Sequence, residues 1–249
     1  MTPVLALLVA SIRQLLPLKR SLALGALQLV PAIVYLLASS NRTADAALDV
    51  FLDGGVSTYF LLVIPIISIV LSSSALGVER RDQTLSFIVL RPMRRTTIAI
   101  TKLVATVVAA TALHAIGSVA LGGAHMFRFD ADLDLILGLL LGAVVATIAY
   151  ASIFIPVGFL TDRAVIIGLA FLLIFENGVV SALSALETLS PWRLGAAAFA
   201  DMAGVSNDGL REAVRSLAWD AGRSVVVVLA MAVVSVAITT LMLNRRDLA

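Results

Sequence analysis

The chain has 249 residues, of which 60% are hydrophobic and 14% are charged, and its mean hydropathy is +1.05. A soluble domain carries about 25% charged residues, so this chain has too little polar surface to cover a water-soluble globule. Cysteine is absent, which excludes a disulfide framework, an iron–sulfur cluster and a cysteine nucleophile. The apolar runs are long and lack strand-like alternation. This predicts an all-α membrane protein rather than an outer-membrane barrel.

The first twenty residues predict an amphipathic helix that lies on the membrane surface. Apolar residues open the chain, and Arg13, Lys19 and Arg20 follow them. A secretory signal places its positive charges before the apolar run, so this order excludes a signal peptide. Pro17 is expected to turn the chain from this interfacial helix, residues 1–20, into the bilayer.

Six apolar stretches are each long enough to cross a bilayer, which takes about 20 residues. Their predicted ranges are 21–39, 58–78, 97–121, 135–160, 164–185 and 223–243. Pro31 is expected to kink the first span. The connections 41–57 and 122–134 carry several aspartates and are predicted to be outer loops. His125 is expected to be a solvated residue of the second loop.

The basic residues concentrate on one side of this six-span arrangement. That side holds twelve of the eighteen lysines and arginines but only four of the sixteen acidic residues. Cytoplasmic loops collect lysine and arginine, so this side and both termini are predicted to face the cytoplasm, with the chain in the plasma or inner membrane. An odd number of spans would break the pattern, which favours six.

The connection 79–96 is predicted to be a cytoplasmic loop that ends in an arginine cluster. Leu85, Phe87 and Ile88 belong to an apolar run within it that is too short to span a bilayer. Such a run between charges indicates a short helix that lies on the membrane surface or docks on another protein. Pro92 ends the run because proline lacks a backbone donor. The charged residues are Glu79, Arg80, Arg81, Asp82, Arg91, Arg94 and Arg95.

The connection 186–222 is the longest polar one and lies between the fifth and sixth predicted spans. It contains Pro191 and a turn-forming Ser-Asn-Asp-Gly run at 206–209. Helical spacing resumes at 210–219. We expect two short helices here, partly sunk into the outer leaflet as a re-entrant-like connection.

Residue patterns for nucleotide or metal chemistry are missing from the sequence. A Walker loop needs a lysine directly after glycine, and neither Lys19 nor Lys102 follows one. The His-Glu-x-x-His spacing of zinc enzymes is also absent. We therefore predict no catalytic residue, no metal site and no cofactor bound by this chain.

Three polar residues inside predicted spans form a possible intramembrane polar site: Glu176, Asn177 and His114. A carboxylate is costly in lipid, so Glu176 indicates function, although a position near the outer interface would also explain it. His114 and Gln28 are expected to bond neighbouring helices. Gly138 and Gly142 form a small-xxx-small pair that allows close helix approach but is a weak signal for a dimer.

The connection 79–96 resembles the first cytoplasmic loop of ABC-2 type transporter permeases. That family shows a glutamate, a Gly-Thr-Leu, a Pro-x-x-Arg and a lysine that opens the next span. Glu79 begins the pattern and Gln83 stands where the family normally has glycine. The matching residues are Thr84, Leu85, Pro92, Arg95 and Lys102. The order of elements and the C-terminal Asn-Arg-Arg-Asp-Leu at 244–248 extend the resemblance over the whole chain.

The resemblance implies the permease half of an exporter that works as a dimer with a second copy or a paralogue. Two separate ATPase subunits would bind ATP and Mg²⁺ and dock on a coupling helix in the 79–96 loop. Its docking residues would include Thr84, Leu85, Phe87, Ile88 and Pro92. Charged residues would set the orientation, and membrane lipids are the other partners for the arginines. No nucleic-acid partner is expected.

Three other functions fit parts of the sequence. A secondary transporter driven by an ion gradient predicts intramembrane ionisable residues, for which only Glu176 and His114 qualify, and an inverted repeat. An intramembrane enzyme needs a paired base and nucleophile, which the spans do not offer. A non-transporting membrane anchor that recruits an ATPase is the third. The substrate and the transport direction do not follow from the sequence.

Overall fold

The computed structural model describes residues 3–83, 93–129, 133–179, 184–205 and 221–245. Every regular element in these ranges is helical, which confirms the predicted all-α class. The α-helices are α1 (Pro3–Leu15), α2 (Leu18–Gln28), α3 (Val30–Ala38), α4 (Ala44–Val50), α5 (Ile64–Arg81), α6 (Arg95–Met126), α7 (Asp134–Leu160), α8 (Ala164–Ala170), α9 (Pro191–Met202) and α10 (Ala221–Arg245). Wider π-helical turns form Phe51–Val56, Tyr59–Val63 and Phe171–Val179, and a tighter 3₁₀ turn forms Ser184–Leu189.

Five helical stretches in the described ranges are long and apolar enough to cross a membrane. They are Leu18–Ala38, Ala44–Arg81, Arg95–Met126, Asp134–Leu160 and Ala221–Arg245. The predicted fifth span, residues 164–185, instead contains a shorter apolar helix over Ala164–Glu176. Helix length alone therefore accounts for five crossings, and the sixth depends on how the region between α7 and α10 is arranged.

Prolines interrupt the N-terminal helices at the predicted places. Pro17 has extended backbone angles between α1 and α2, with φ −66° and ψ 144°. Leu29 separates α2 from α3, and Pro31 lies in the first turn of α3, where no helical donor is needed. On α1, Leu7, Ser11 and Leu15 are buried at four-residue spacing, so one face of this helix packs on α6.

The segment 41–57, which the sequence predicts to lie outside the membrane, is largely helical, and the span predicted at 58–78 begins earlier. These residues include α4 and the π-helical segment Phe51–Val56, and they continue into α5 as one stretch, Ala44–Arg81, of 38 residues. Asp45, Asp49 and Asp53 are spaced by four residues and all lie on the exposed face. Phe51 and Val56 are fully buried on the other face. The aspartates mark the polar face of an amphipathic helix rather than a loop.

Helix α7 lies at the centre of the bundle and packs on α5, α6, α9 and α10. Glycines let two of these neighbours approach closely. A Cβ at Gly158 would lie 2.3 Å from the carbonyl oxygen of Ser73 on α5. A Cβ at Gly142 would lie 2.5 Å from the carbonyl oxygen of Gly195 on α9. The small-xxx-small pair, Gly138 and Gly142, therefore contacts α9 of the same chain.

The termini of the helices define two ends of the bundle. At one end, which we call the basic end, α5 finishes, α6 begins and α7 finishes; Arg80, Arg81, Arg95 and Lys102 lie there. At the opposite end, Asp201 near the end of α9 accepts a hydrogen bond of 3.0 Å from the backbone N–H of Ala221, where α10 begins. Helix α10 is long enough to return from there to the basic end.

The described part of the region between α7 and α10 forms two short pieces. Helix α8 and the π-helical segment Phe171–Val179 lead away from the basic end. Helix α9 then runs antiparallel to α7, with Gly195 beside Gly142 and Ala203 beside Gly138. The two pieces meet where Glu176 and Ser190 contact each other halfway along α7. Together they cover the distance that one unbroken helix would cover.

Candidate functional site

A buried ion pair joins α5 to α6 at the basic end. Lys102 Nζ donates to Glu79 Oε1, and the side chains are only 1% and 6% exposed. Both residues face inward near the point where their helices enter or leave the 79–96 connection. A lysine and a glutamate can be buried here because each neutralises the other. The pair therefore fixes the spacing of the two helices that carry the connection.

The three charged residues after Glu79 have different environments. Arg80 pairs with Asp162 and donates to the carbonyl oxygen of Leu160 at 2.8 Å, which attaches α5 to the end of α7. Arg81 and Asp82 are exposed. Of the predicted orientation residues, these last two present their side chains outward, whereas Glu79 and Arg80 hold helices of the chain together.

Gln83 follows the end of α5 with φ +55°, in the left-handed region that favours glycine. Its backbone N–H donates to Arg80 O at 3.3 Å, as expected just beyond a helix C-cap. The glycine that the ABC-2 pattern normally has at this position would adopt these angles without strain. In this chain a glutamine adopts the left-handed conformation at this position.

The rest of the predicted docking helix lies outside the described residues. This applies to Thr84, Leu85, Phe87, Ile88 and Pro92. Arg95 is described and begins α6, where it is partly buried. The prediction that the apolar run docks on a partner is not tested by the structure.

A first polar cluster lies deep in the bundle and joins four helices. His114 Nδ1 on α6 is 2.7 Å from Gln28 Nε2, and its Nε2 is 3.4 Å from Ser68 Oγ on α5. Ser68 Oγ lies 3.2 Å from Thr147 Oγ1 on α7. All four residues are fully buried. The expectation that His114 and Gln28 bond neighbouring helices is confirmed.

A second polar cluster surrounds Glu176 in the π-helical segment Phe171–Val179. The Tyr150 hydroxyl on α7 donates to Glu176 Oε1 at 2.8 Å. The Ser190 hydroxyl, just before α9, donates to Oε2 at 3.4 Å. Glu176 is 2% exposed and Tyr150 and Ser190 are fully buried. Asn177 lies in the same segment, but its side chain is outside the described part.

Glu176 lies near the middle of the bundle rather than at its outer edge. Tyr150 is ten residues from the end of α7 at Leu160, or about 15 Å at 1.5 Å per residue. A bilayer core is about 30 Å thick. Because Glu176 accepts a hydrogen bond from Tyr150, it lies at the same depth. Glu176 therefore lies well inside the helical bundle, at the depth of Tyr150 on α7.

Two further charges lie beside this cluster. Arg193 Nη1 pairs with Glu187 Oε1 at 2.7 Å, and these side chains are 11% and 12% exposed. The Arg193 guanidinium lies 5.4 Å from the centre of the Trp192 ring. Ser190, whose hydroxyl donates to Glu176, lies three residues before Arg193 at the start of α9. Glu176, Glu187 and Arg193 therefore form one group of charges at the start of α9, which we call the mid-bundle charge cluster.

A family model described as "ABC-2 family transporter protein" matches residues 15–177, about two thirds of the chain. The chain belongs to the ABC-2 transporter family. No individual curated protein matches the sequence. The resemblance of the 79–96 connection is confirmed at the level of the family, and the chain is a multi-pass membrane permease. As a member of this family, the permease is a membrane transport component.

Four residues of the site around Glu176 were not predicted from the sequence. Nothing in the sequence marks Tyr150 and Ser190 as partners of a buried carboxylate, because a lone hydroxyl in an apolar segment is common. Glu187 and Arg193 could have been found, because a glutamate and an arginine six residues apart flank a Ser-Pro-Trp run that is typical of a helix start. His114 and Glu176, which the sequence grouped together, belong to separate clusters that contact α7 at Thr147 and at Tyr150.

The prediction for His125 is wrong. It lies inside α6 and is 4% exposed, not in a solvated loop. Its Nδ1 is 2.8 Å from the Tyr35 hydroxyl, and its ring centre is 4.7 Å from that of Phe51. Asp130 and Asp132, which follow His125 in the predicted loop 122–134, lie outside the described residues. His125 therefore fastens α3 and the 51–56 segment to α6.

Proposed function

We propose that this permease forms the substrate pathway of an ATP-driven exporter and is moved by separate cytoplasmic ATPase subunits. The observation that carries the proposal is the buried Glu79–Lys102 pair, in a chain of a transporter family. The pair ties together the two helices that flank the 79–96 connection. A partner that moves this connection would move α5 and α6 as one unit instead of bending the connection.

The basic end faces the cytoplasm in this proposal. Lysine and arginine collect on the cytoplasmic side of membrane proteins, and Arg80, Arg81, Arg95 and Lys102 lie at that end. The two pieces between α7 and α10 together make the fifth of six crossings. With six crossings, both termini are cytoplasmic, in the plasma or inner membrane.

The partners follow from the same arrangement. Two ATPase subunits bind ATP and Mg²⁺ and dock on the 79–96 connection, where Arg81 and Asp82 present charges for orientation. A second copy of the permease or a paralogue completes the pathway. Lipid headgroups contact the arginines near the start of α6. ATP binding closes the ATPase pair, and the connection transmits that motion to the bundle.

The first experiment asks whether the ATPase subunit exists. The reading frames next to the permease gene are searched for an ATPase with a Walker motif, and that ATPase is expressed with the tagged chain and purified in mild detergent. We expect a stable complex with ATPase activity. If no such subunit co-purifies with the chain, or if the purified chain alone hydrolyses ATP, the proposal is wrong.

The second experiment tests the docking surface. Leu85→Asp and Phe87→Asp are expected to reduce co-purification and permease-dependent ATPase activity at least tenfold, because an aspartate is costly in an apolar groove. Phe127→Asp is the matched control, since Phe127 is 92% exposed and lies at the opposite end. Normal complex formation by both docking variants would show that the connection is not the docking site.

The main alternative function is a secondary transporter, which differs from the proposed exporter in its energy source, an ion gradient instead of ATP. The buried carboxylate of Glu176 is the observation that favours it. Transport by reconstituted permease without any ATPase, driven by an imposed ion gradient, would establish the rival. An anchor without transport would form the complex with the ATPase but leave its activity unchanged.

A further inference from the structure

We propose that the mid-bundle charge cluster binds the cationic group of an organic amphiphile, and that such compounds are the substrate class of this permease. The inference rests on the proposed function, because it names what the exporter carries. It is argued from the charges, the unpaired atoms and the depth of one group of side chains.

The described side chains of the cluster carry more negative than positive charge. Glu176 and Glu187 supply two carboxylates, and Arg193 supplies one guanidinium. Arg193 forms its ion pair with Glu187. Glu176 is held by the hydroxyls of Tyr150 and Ser190, which carry no charge. When both carboxylates are ionised, the cluster is one positive charge short of neutrality, and a cationic ligand would supply that charge.

Unpaired polar atoms show that the cluster is not saturated by its own contacts. Glu187 Oε2, Arg193 Nε and Trp192 Nε1 are buried and have no hydrogen-bond partner within the described chain. Trp192 is 7% exposed. A ligand bound at the cluster would supply partners for these atoms, which burial otherwise leaves unpaired at a cost in free energy.

The depth of the mid-bundle charge cluster and the apolar side chains around it favour an amphiphile over a small inorganic ion as the ligand. The cluster lies about 15 Å from the basic end, inside the apolar part of the bundle. Side chains next to Glu176 on the same segment, Leu173 and Ile174, are 68% and 66% exposed on its apolar outer face. A ligand that reaches Glu176 must pass apolar surface with its apolar part and meet the carboxylate with its cationic part. An aromatic ring that already faces a cation, Trp192, adds a further favourable surface.

The test uses two lipophilic ions of nearly equal shape and opposite charge, tetraphenylphosphonium and tetraphenylborate. The purified chain is placed in nanodiscs, and empty nanodiscs correct for partition into lipid. Trp192 reports binding by its fluorescence when the other tryptophan is removed by Trp219→Phe. We expect saturable binding of tetraphenylphosphonium and none of tetraphenylborate. Saturable binding of both ions, or of neither, would overturn the proposal.

Two isosteric variants then locate the site. Glu176→Gln and Glu187→Gln each remove one carboxylate charge without changing side-chain size. We expect each to weaken tetraphenylphosphonium binding by about tenfold or more, which corresponds to about 1.4 kcal/mol. Asp134→Asn is the matched control, because Asp134 is an exposed carboxylate at the far end of α7. Losses below tenfold in both cluster variants, or an equal loss in the control, would place the binding elsewhere.

The binding measurement separates this inference from the proposed function. It needs only the chain itself, whereas the exporter proposal is tested by co-purification with an ATPase. If no ATPase associates but the cation binds at Glu176, the exporter proposal fails and the cation site stands. If the ATPase associates and tetraphenylphosphonium does not bind, the exporter proposal stands and the cation site fails.

Discussion

The permease buries a carboxylate at two depths and stabilises each by a different means. At the basic end, Glu79 is paired with the ammonium group of Lys102. Halfway along α7, Glu176 receives two hydroxyl groups and, among the residues that the structure describes, no direct cation. The first arrangement is complete in charge and suits a joint between helices. The second still attracts a positive charge, and we infer that it binds a ligand.

The difference teaches how to separate a structural charge from a functional one in an apolar bundle. A buried ion pair is strongly destabilised when one partner is removed, because the other charge remains in a medium that solvates it poorly. Replacing a carboxylate that is held by hydroxyls with an amide should cost less free energy of unfolding, because no charge is left unpaired. Stability should therefore depend mainly on Glu79 and Lys102, and ligand binding mainly on Glu176.

The largest expected effect comes from breaking the pair at the basic end. Lys102→Met leaves the buried Glu79 without its cation and should lower the free energy of unfolding by about 3–5 kcal/mol. Reversible unfolding in mixed detergent–SDS micelles measures it. Asp162→Asn is the control, because Asp162 is 63% exposed and its pair with Arg80 contributes about 0–1 kcal/mol. Equal losses in the two variants would contradict the distinction.

A smaller loss is expected at the second carboxylate when its main donor is removed. Tyr150→Phe keeps the ring and deletes the hydroxyl that donates to Glu176 Oε1. The free energy of unfolding should fall by about 1–3 kcal/mol, the cost of a buried acceptor without its partner. The same micelle titration measures it, with Ser152→Ala on α7 as a control that deletes a hydroxyl bonded only within its own helix. No difference between the two would mean that Tyr150 does not hold Glu176.

Glu176→Gln should change the free energy of unfolding by less than about 1 kcal/mol. The amide oxygen still accepts from Tyr150, and the amide N–H groups can donate to Ser190. Glu79→Gln, the same replacement at the basic end, leaves Lys102 unpaired and should destabilise far more. Measured side by side, the two glutamine variants sharpen the comparison most directly. A loss at Glu176 as large as that at Glu79 would assign both carboxylates a structural role.

The smallest effect is expected at the turn that follows the Glu79 region. Gln83→Gly should raise the free energy of unfolding by about 0.5–1 kcal/mol, because Gln83 has φ +55° and glycine adopts this conformation without strain. Gln83→Ala is the control and should give no gain. Stabilisation by alanine as well would show that the left-handed backbone is not the cause.

Local sequence was enough to predict the features that depend on neighbouring residues. Long apolar runs require helices in lipid, because backbone groups there must bond within their own segment. The breaks at Pro17 and Pro31 follow from a missing donor and a restricted backbone. The loop pattern from Glu79 to Lys102 pointed to the family that the comparison confirmed. The aspartates of 41–57 suggested a segment outside the spans. Their four-residue spacing, which places them on one face of a helix, is the signal that would have predicted helix there.

Only the tertiary structure decided which buried groups meet. Lys102 opens a span twenty-three residues after Glu79, and nothing local shows that their side chains point at each other. Glu176, Tyr150 and Ser190 come from three segments, and their meeting depends on how α9 packs along α7 through Gly142 and Gly195. Hydrophobic runs place helices in a membrane without fixing their rotation or depth, because lipid accepts any apolar face. The close contacts between helices fix both, and with them the partners of every buried charge.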